Sequence, residues 1–151
     1  MEARMNHPVT VLPGTMKALL ALGETATQAG LPQSLMELVN LRASQINGCG
    51  VCVDMHGKAL RKAGESDERI FAVGAWRDTP YYTEAERAAL ALAEAVTRLA
   101  DRPDPVSDEV WQEAAKHYDE QQLSALLVAV ATVNVWNRLN ASTKQVAGTW
   151  G

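Results

Sequence analysis

The stretch Glu37-Leu-Val-Asn-Leu-Arg-Ala-Ser-Gln-Ile-Asn-Gly-Cys49-Gly-Val-Cys52-Val-Asp-Met-His56 decides both the fold and the chemistry. Its first half places Leu38, Val39, Leu41 and Ile46, with Leu35 just ahead of them, at the spacing of an amphipathic helix. Pro32 suits the first turn of that helix. Asn47-Gly48 ends it, and Asn47 also offers a cap for the helix that follows. That next helix is expected from about Cys49 to Ala63, with Gly64 as its stop. Each residue of a helix turns about 100°, so Cys49, Cys52 and His56 fall within an arc of about 60°. Thiols at i and i+3 are near enough to join as a disulfide. His56 follows Cys52 by four residues, the spacing at which side chains touch. The free N–H groups of a helix start stabilise a thiolate. The layout offers a nucleophile, a second thiol to resolve it, and a base.

Outward from this stretch, helix punctuation recurs and strand alternation is almost absent. Upstream, Thr15 to Gln28 is helical in pattern and closes at Gly30. Downstream, Ser66 opens a short helix to about Gly74, and Thr83 with Glu86 has the spacing of a capping box that starts a helix through about Leu99. Asp101 to Pro105 is a proline-broken loop. Ser107 opens a sixth helix to about His117, and Asp119 with Gln122 starts a seventh that runs to about Leu139. The expectation is an all-α fold of about seven helices. The tail beyond Asn140 is small and polar and reads as an arm or a frayed end.

Composition narrows the function. The chain has 151 residues, enough for one domain with a real core, and 47% apolar against 21% charged residues marks it as globular. A net charge of -4 with scattered basic residues excludes a broad nucleic-acid footprint. Met1 to Gly14 lacks the basic and apolar regions of a signal peptide. The longest apolar stretch, Leu123 to Trp136, is interrupted by Ser124, Thr132 and Asn134 and falls short of the roughly 20 residues a bilayer requires. No membrane is implied, and the cytoplasm is the expected compartment, where thiols stay reduced. The two cysteines, three apart, would enclose too small a loop to stabilise much, so their role reads as chemical.

From the residues alone, three readings of the pair stay open. One is dithiol redox chemistry, outside the βαβ setting of thioredoxin-like motifs. A second is zinc, held by Cys49, Cys52, His56 and a carboxylate, although structural zinc sites usually draw on two separated pairs. The third is an inert helix start built of small residues.

The stretch from Glu37 to His56 resembles the AhpD-like alkylhydroperoxidase core of the carboxymuconolactone decarboxylase superfamily. The likeness continues through Trp76-Arg77, Tyr81-Tyr82-Thr83 and Glu86-Arg87-Ala-Ala-Leu90, and more weakly through Asn134-Val-Trp-Asn-Arg138. It spans roughly residues 15 to 140 of what is expected to be one AhpD-like domain, 1–151. The resemblance implies a thiol peroxidase acting on hydrogen or alkyl hydroperoxides. In it Cys52 is the peroxidatic thiol, Cys49 resolves it as a disulfide, His56 carries protons, and Glu37 completes the relay. Some members place a His just before the second cysteine; here that residue is Val51, which leaves the relay one basic group poorer. Decarboxylases of the superfamily lack the Cys-x-x-Cys pair, so its presence argues against lactone decarboxylation. The implied chemistry calls for an external dithiol reductant, such as one of lipoyl type, and for no bound metal or other cofactor.

Other conspicuous residues have plainer readings. Glu37 by itself would be a solvated helix charge; only the family spacing changes that. His7 lies in an expected arm and His117 ends a helix, where a cation suits the dipole. Trp76, Trp111 and Trp136 read as core or subunit contacts, and Tyr81-Tyr82 as a turn packed on the core. Glu84, Glu86 and Arg87 read as a helix start. The seventh helix is apolar around most of its circumference from Leu126 to Val135, which predicts self-association; the resemblance implies trimers or hexamers.

Overall fold

In a computed structural model that describes residues 1–149, every regular element is helical. The helices are α1 (Pro8–Val11), α2 (Thr15–Thr25), α3 (Gln33–Ile46), α4 (Gly50–Lys62), α5 (Asp67–Ala72), α6 (Glu84–Thr97), α7 (Asp108–His117) and α8 (Glu120–Thr143). Tighter 3₁₀ segments follow α2 (Ala26–Ala29) and α5 (Val73–Asp78). The described residues thus hold eight α-helices rather than seven. The extra one, α1, is a single turn too short to leave a periodic pattern. Residues 150 and 151 of the expected domain lie outside the described residues.

α3 sits at the centre, because its two faces are both apolar. Leu38 and Leu41 join Leu60, Ile70, Val73, Trp76, Tyr82 and Leu90 in a cluster shared with α4, α5 and α6. Leu35 and Val39 join Leu92, Leu126 and Val130 in a second cluster shared with α6, α7 and α8. Leu38 and Val39 are fully buried; each contributes roughly 1.5–3 kcal/mol by leaving water. Truncating Leu38 to alanine would cost about 2–5 kcal/mol, because the site cannot collapse around the gap.

Four of the expected caps form where the sequence put them. Thr83 and Glu86 close a capping box on α6, Asp119 and Gln122 close one on α8, and Ser66 and Ser107 cap α5 and α7. Three expectations change. α8 does not stop near Leu139 but continues to Thr143, with Lys144 in the left-handed region. The residues beyond it are not a loose arm: the Arg4 N–H donates to Thr143 O at 2.8 Å, and Gln145 Nε2 donates to Met5 O at 3.0 Å. The chain's two ends are stitched side by side. Third, α8 is already covered by its own chain. Between Leu126 and Val135 only Ala131 and Val135 are exposed, so the apolar girth of this helix gives no argument for self-association.

Part of that girth is polar. Asn47 Nδ2 donates to both Asn134 Oδ1 and Asn137 Oδ1 at 2.9 Å, and Asn137 Nδ2 donates to Ser44 Oγ at 3.0 Å. Asn47 therefore does not cap α4 as expected; it ties the end of α3 to α8. Buried amides satisfied this way fix the register of two helices, since a slip would leave them unpaired.

Candidate active site

The cysteine pair sits in the junction between α3 and α4. α3 ends in a Schellman motif: Cys49 N–H donates to Ser44 O at 3.0 Å and Gly48 N–H to Gln45 O at 3.3 Å. This turn needs Gly48, whose φ of 66° would strain any residue with a Cβ. Cys49 is then the N-cap of α4, not its first helical residue as the sequence periodicity implied. Its Sγ accepts from Cys52 N–H at 3.3 Å, and its carbonyl accepts from Val53 N–H at 2.9 Å. Both sides of the junction hold Cys49 in place, so its Cα lies 5.4 Å from that of Cys52 and the two are joined by a disulfide.

The two sulfurs differ in surroundings. A cavity of about 780 Å³ opens beside α4, and Cys52 lines it whereas Cys49 does not. Cys49 is 1% exposed and sits behind its partner. Glu37 and His56 line the same cavity, brought together because α3 and α4 pack antiparallel on either side of the Cys49 turn. His56 Nδ1 and Glu37 Oε2 are 2.7 Å apart, with both side chains mostly buried. The four residues singled out from sequence are thus gathered at one place. Most of the remaining wall is apolar, including Met16, Leu20, Met36, Met55 and Val133.

Two cavity residues escaped the sequence reading. His7, expected in an arm, is buried and lines the cavity, its ring 5.9 Å from that of Trp136. Asn140 Nδ2 lies 3.6 Å from Cys52 Sγ and donates to Trp136 O at 3.0 Å. No local pattern announces either contact, since each spans most of the chain. Trp136 is a cavity residue rather than a core one. Trp76 is buried as expected, Trp111 lies on the surface of α7, and of the tyrosine pair Tyr82 is buried while Tyr81 is exposed. His117 ends α7 with its Nε2 3.5 Å from Glu113.

A third unforeseen residue stands apart from the cavity. Glu94, buried in α6, accepts from Arg42 Nε at 2.7 Å, Trp76 Nε1 at 3.0 Å and Arg77 Nη1 at 2.6 Å. Burial works to raise its carboxyl, but the hydrogen bonds from Arg77, Trp76 and Arg42 outweigh it and hold the group below the usual carboxylate range. Tyr82 and Tyr118 are pushed up to about 12 by burial. Among the described residues no group of three His, Cys, Asp or Glu side chains is arranged so that it could hold a metal ion.

A sequence model of the carboxymuconolactone decarboxylase family matches residues 13–95, which include Glu37, both cysteines and His56. The chain belongs to that family. Within it the likeness to AhpD proteins is specific: the chain is 45% identical to the alkyl hydroperoxide reductase AhpD of Methylocella silvestris over 56 residues, 37% of this chain and 31% of that one. It is 35% identical over 130 residues to YdfG, an uncharacterized protein of Bacillus subtilis, covering 86% of this chain and 87% of that one. A crystal structure of an Agrobacterium tumefaciens protein of unknown function, described as a putative antioxidant defence protein AhpD, superposes with a TM-score of 0.90 at 34% identity, covering 98% and 99% of the two chains. The fold extends further, to the debrominase Bmp8, at a TM-score of 0.80 and 23% identity over 91% of this chain and 73% of that one. The chain is thus an AhpD-like member of the carboxymuconolactone decarboxylase family. No helix among its described residues is long and apolar enough to cross a membrane.

Proposed function

We propose that this chain is a thiol-dependent peroxidase that reduces hydrogen or alkyl hydroperoxides through Cys52 and Cys49. The observation that carries the reading is the asymmetry of the pair: Cys52 faces the cavity beside Glu37 and His56, and Cys49 is bonded to it from behind. The Cys52 thiolate attacks one peroxide oxygen; the S–O bond forms as the O–O bond breaks, giving a sulfenic acid. The departing alkoxide or hydroxide takes a proton from His56. With Nδ1 engaged by Glu37, Nε2 is the nitrogen that exchanges protons with the cavity, and the Glu37 carboxylate orients and recharges the ring. Cys49 then attacks the Cys52 sulfur; the S–S bond forms, the S–O bond breaks, and water leaves. An external dithiol, such as one of lipoyl type, returns two electrons and two protons by thiol–disulfide exchange.

The apolar wall and a volume within the roughly 300–1,000 Å³ of small-molecule pockets favour an organic hydroperoxide over hydrogen peroxide. We place the reaction in the cytoplasm, in a single domain over 1–151 that assembles as trimers or hexamers like the family it belongs to. The test is peroxide consumption with a dithiol donor, for the parent protein and for Cys49→Ser and Cys52→Ser. Turnover in the parent alone is the expected result; turnover that survives in both variants refutes it and favours a thiol-independent chemistry. Stoichiometric zinc in protein purified without chelators would instead support a metal-binding module.

A further inference from the structure

α8 carries a row of buried asparagines at intervals of three residues, Asn134, Asn137 and Asn140, which faces the junction of α3 and α4. The first two meet Asn47 and Ser44 there and fix the register of α8 against α3. The third reaches the sulfur: Asn140 Nδ2 lies 3.6 Å from Cys52 Sγ. An amide nitrogen carries two hydrogens. Trp136 O, 3.0 Å from Asn140 Nδ2, takes one of them, and a carbonyl can only accept, so it fixes which end of the amide faces the sulfur. The other hydrogen is left for Cys52. The reverse orientation would set a carbonyl oxygen against the sulfur and repel a thiolate. Cys52 N–H is turned to Cys49 Sγ, so among the described residues Asn140 is the side-chain donor on the Cys52 sulfur.

We propose that Asn140 is a catalytic residue that stabilises the Cys52 thiolate by a hydrogen bond from Nδ2. The proposal rests on Cys52 being the thiol that meets peroxide. Reduction of the disulfide leaves the donor facing a thiol, and a hydrogen bond donated to the charged form of a thiol favours that form. Both groups are buried against a mostly apolar wall, where burial opposes the charge and a donor already in place counts for more than in water. Asn134 and Asn137 supply that preorganisation, because they set the height of α8 beside α4. The ionisable groups that share the cavity with Cys52 are Glu37 from α3, His56 from α4 and His7 ahead of α1; among the described residues α2 and α8 bring none to the wall. Glu37 opposes a second negative charge in the cavity, and His56 answers Glu37 first. The uncharged amide favours the thiolate at every protonation state of that pair.

The experiment titrates Cys52 without any peroxide, so it stands or falls separately from the peroxidase assay. Cys49→Ser leaves Cys52 as the sole thiol and puts a good N-capping residue at the start of α4. In that background the rate of iodoacetamide alkylation is followed against pH, with Asn140 intact and with Asn140→Leu or Asn140→Ala. Leucine keeps the bulk of the side chain and removes the donor. Each substitution is expected to raise the midpoint by about one pH unit, roughly tenfold less thiolate at neutral pH. The plateau rate at high pH should stay near the parent value in Asn140→Leu. A residue that merely shapes the wall would do the reverse, moving the plateau and not the midpoint. A folded variant of either kind with an unmoved midpoint overturns the proposal. With Asn140 intact, its side-chain amide protons should shift in NMR spectra with the Cys52 midpoint. Amide protons that ignore the titration overturn the proposal equally, whether or not the variants fold.

Discussion

His56 Nδ1 lies 2.7 Å from Glu37 Oε2, across the antiparallel pair of helices that also presents Cys52 to the cavity. If this contact supplies the proton for the leaving oxygen, His56→Ala should slow peroxide consumption about 10²–10⁴-fold, the usual range for losing a general acid or base. Glu37→Gln should slow it less, because an amide can still orient the ring. Both should keep the parent's circular dichroism. A His56→Ala protein at full rate removes the histidine from the mechanism.

The two thiols should separate under dimedone. Cys49→Ser is expected to form one trappable sulfenic acid at Cys52 and then overoxidise, because its resolving partner is gone. Cys52→Ser should trap nothing. A case exists for the opposite roles, since Cys49 is the residue at the very start of α4, where a helix stabilises a thiolate. Against it, Cys49 is buried behind Cys52 and does not reach the cavity wall. Dimedone on Cys49 in the Cys52→Ser protein, with none on Cys52 in the other variant, reverses the assignment.

Mild peroxide should convert the reduced protein to one with no alkylatable thiol, the link lying within one chain. Mass spectrometry reads this directly: two alkyl groups before treatment, none after. Disulfides between chains, or two surviving thiols, count against the cycle.

Substrate preference tests the cavity. Leu20 lines it and is 59% exposed, so Leu20→Glu should be tolerated by the fold. The charge at the mouth is expected to lower kcat/KM for a bulky hydroperoxide such as cumene hydroperoxide and leave that for hydrogen peroxide nearly unchanged. Equal losses for both would remove the cavity's part in recognition.

Glu94 gives a prediction about stability. Its carboxyl titrates lower in the fold than in the unfolded chain, so its contribution is complete above the unfolded value near 4.5 and disappears as pH falls through the lowered folded value. Glu94→Gln should therefore destabilise at neutral pH by about 3 kcal/mol, the lower end for breaking a buried ion pair, because Arg77 is more than half exposed. Denaturant melts of parent and variant should differ most above pH 5 and converge in acid. A constant gap down to pH 2 contradicts this account.

What the sequence disclosed and what it withheld divide along chain distance. The caps at Ser66, Thr83, Ser107 and Asp119 are contacts over three residues, so their residue types announce them. Glu37 and His56 lie on consecutive helices joined by one turn, and only the family spacing distinguished that glutamate from a solvated one. The count missed α1 because a single turn has no period. His7 and Asn140 line one cavity from opposite ends of the chain, and Glu94 sits in an alanine-rich helix whose pattern gives no reason to bury an acid. The apolar run in α8 suggested a second copy as its cover, but its own chain covers it, with Asn134 and Asn137 locked against Asn47.

The stitching of the chain's ends sets an order of events during synthesis. A nascent polypeptide that has emerged through α7 already carries both cysteines, Glu37 and His56. It lacks Val133, Trp136 and Asn140, and so has neither the far wall of the cavity nor the amide beside Cys52. His7, which precedes all of these helices, meets the Trp136 ring only once α8 has been made. The pair of cysteines thus gains the wall around it only when translation of α8 is complete.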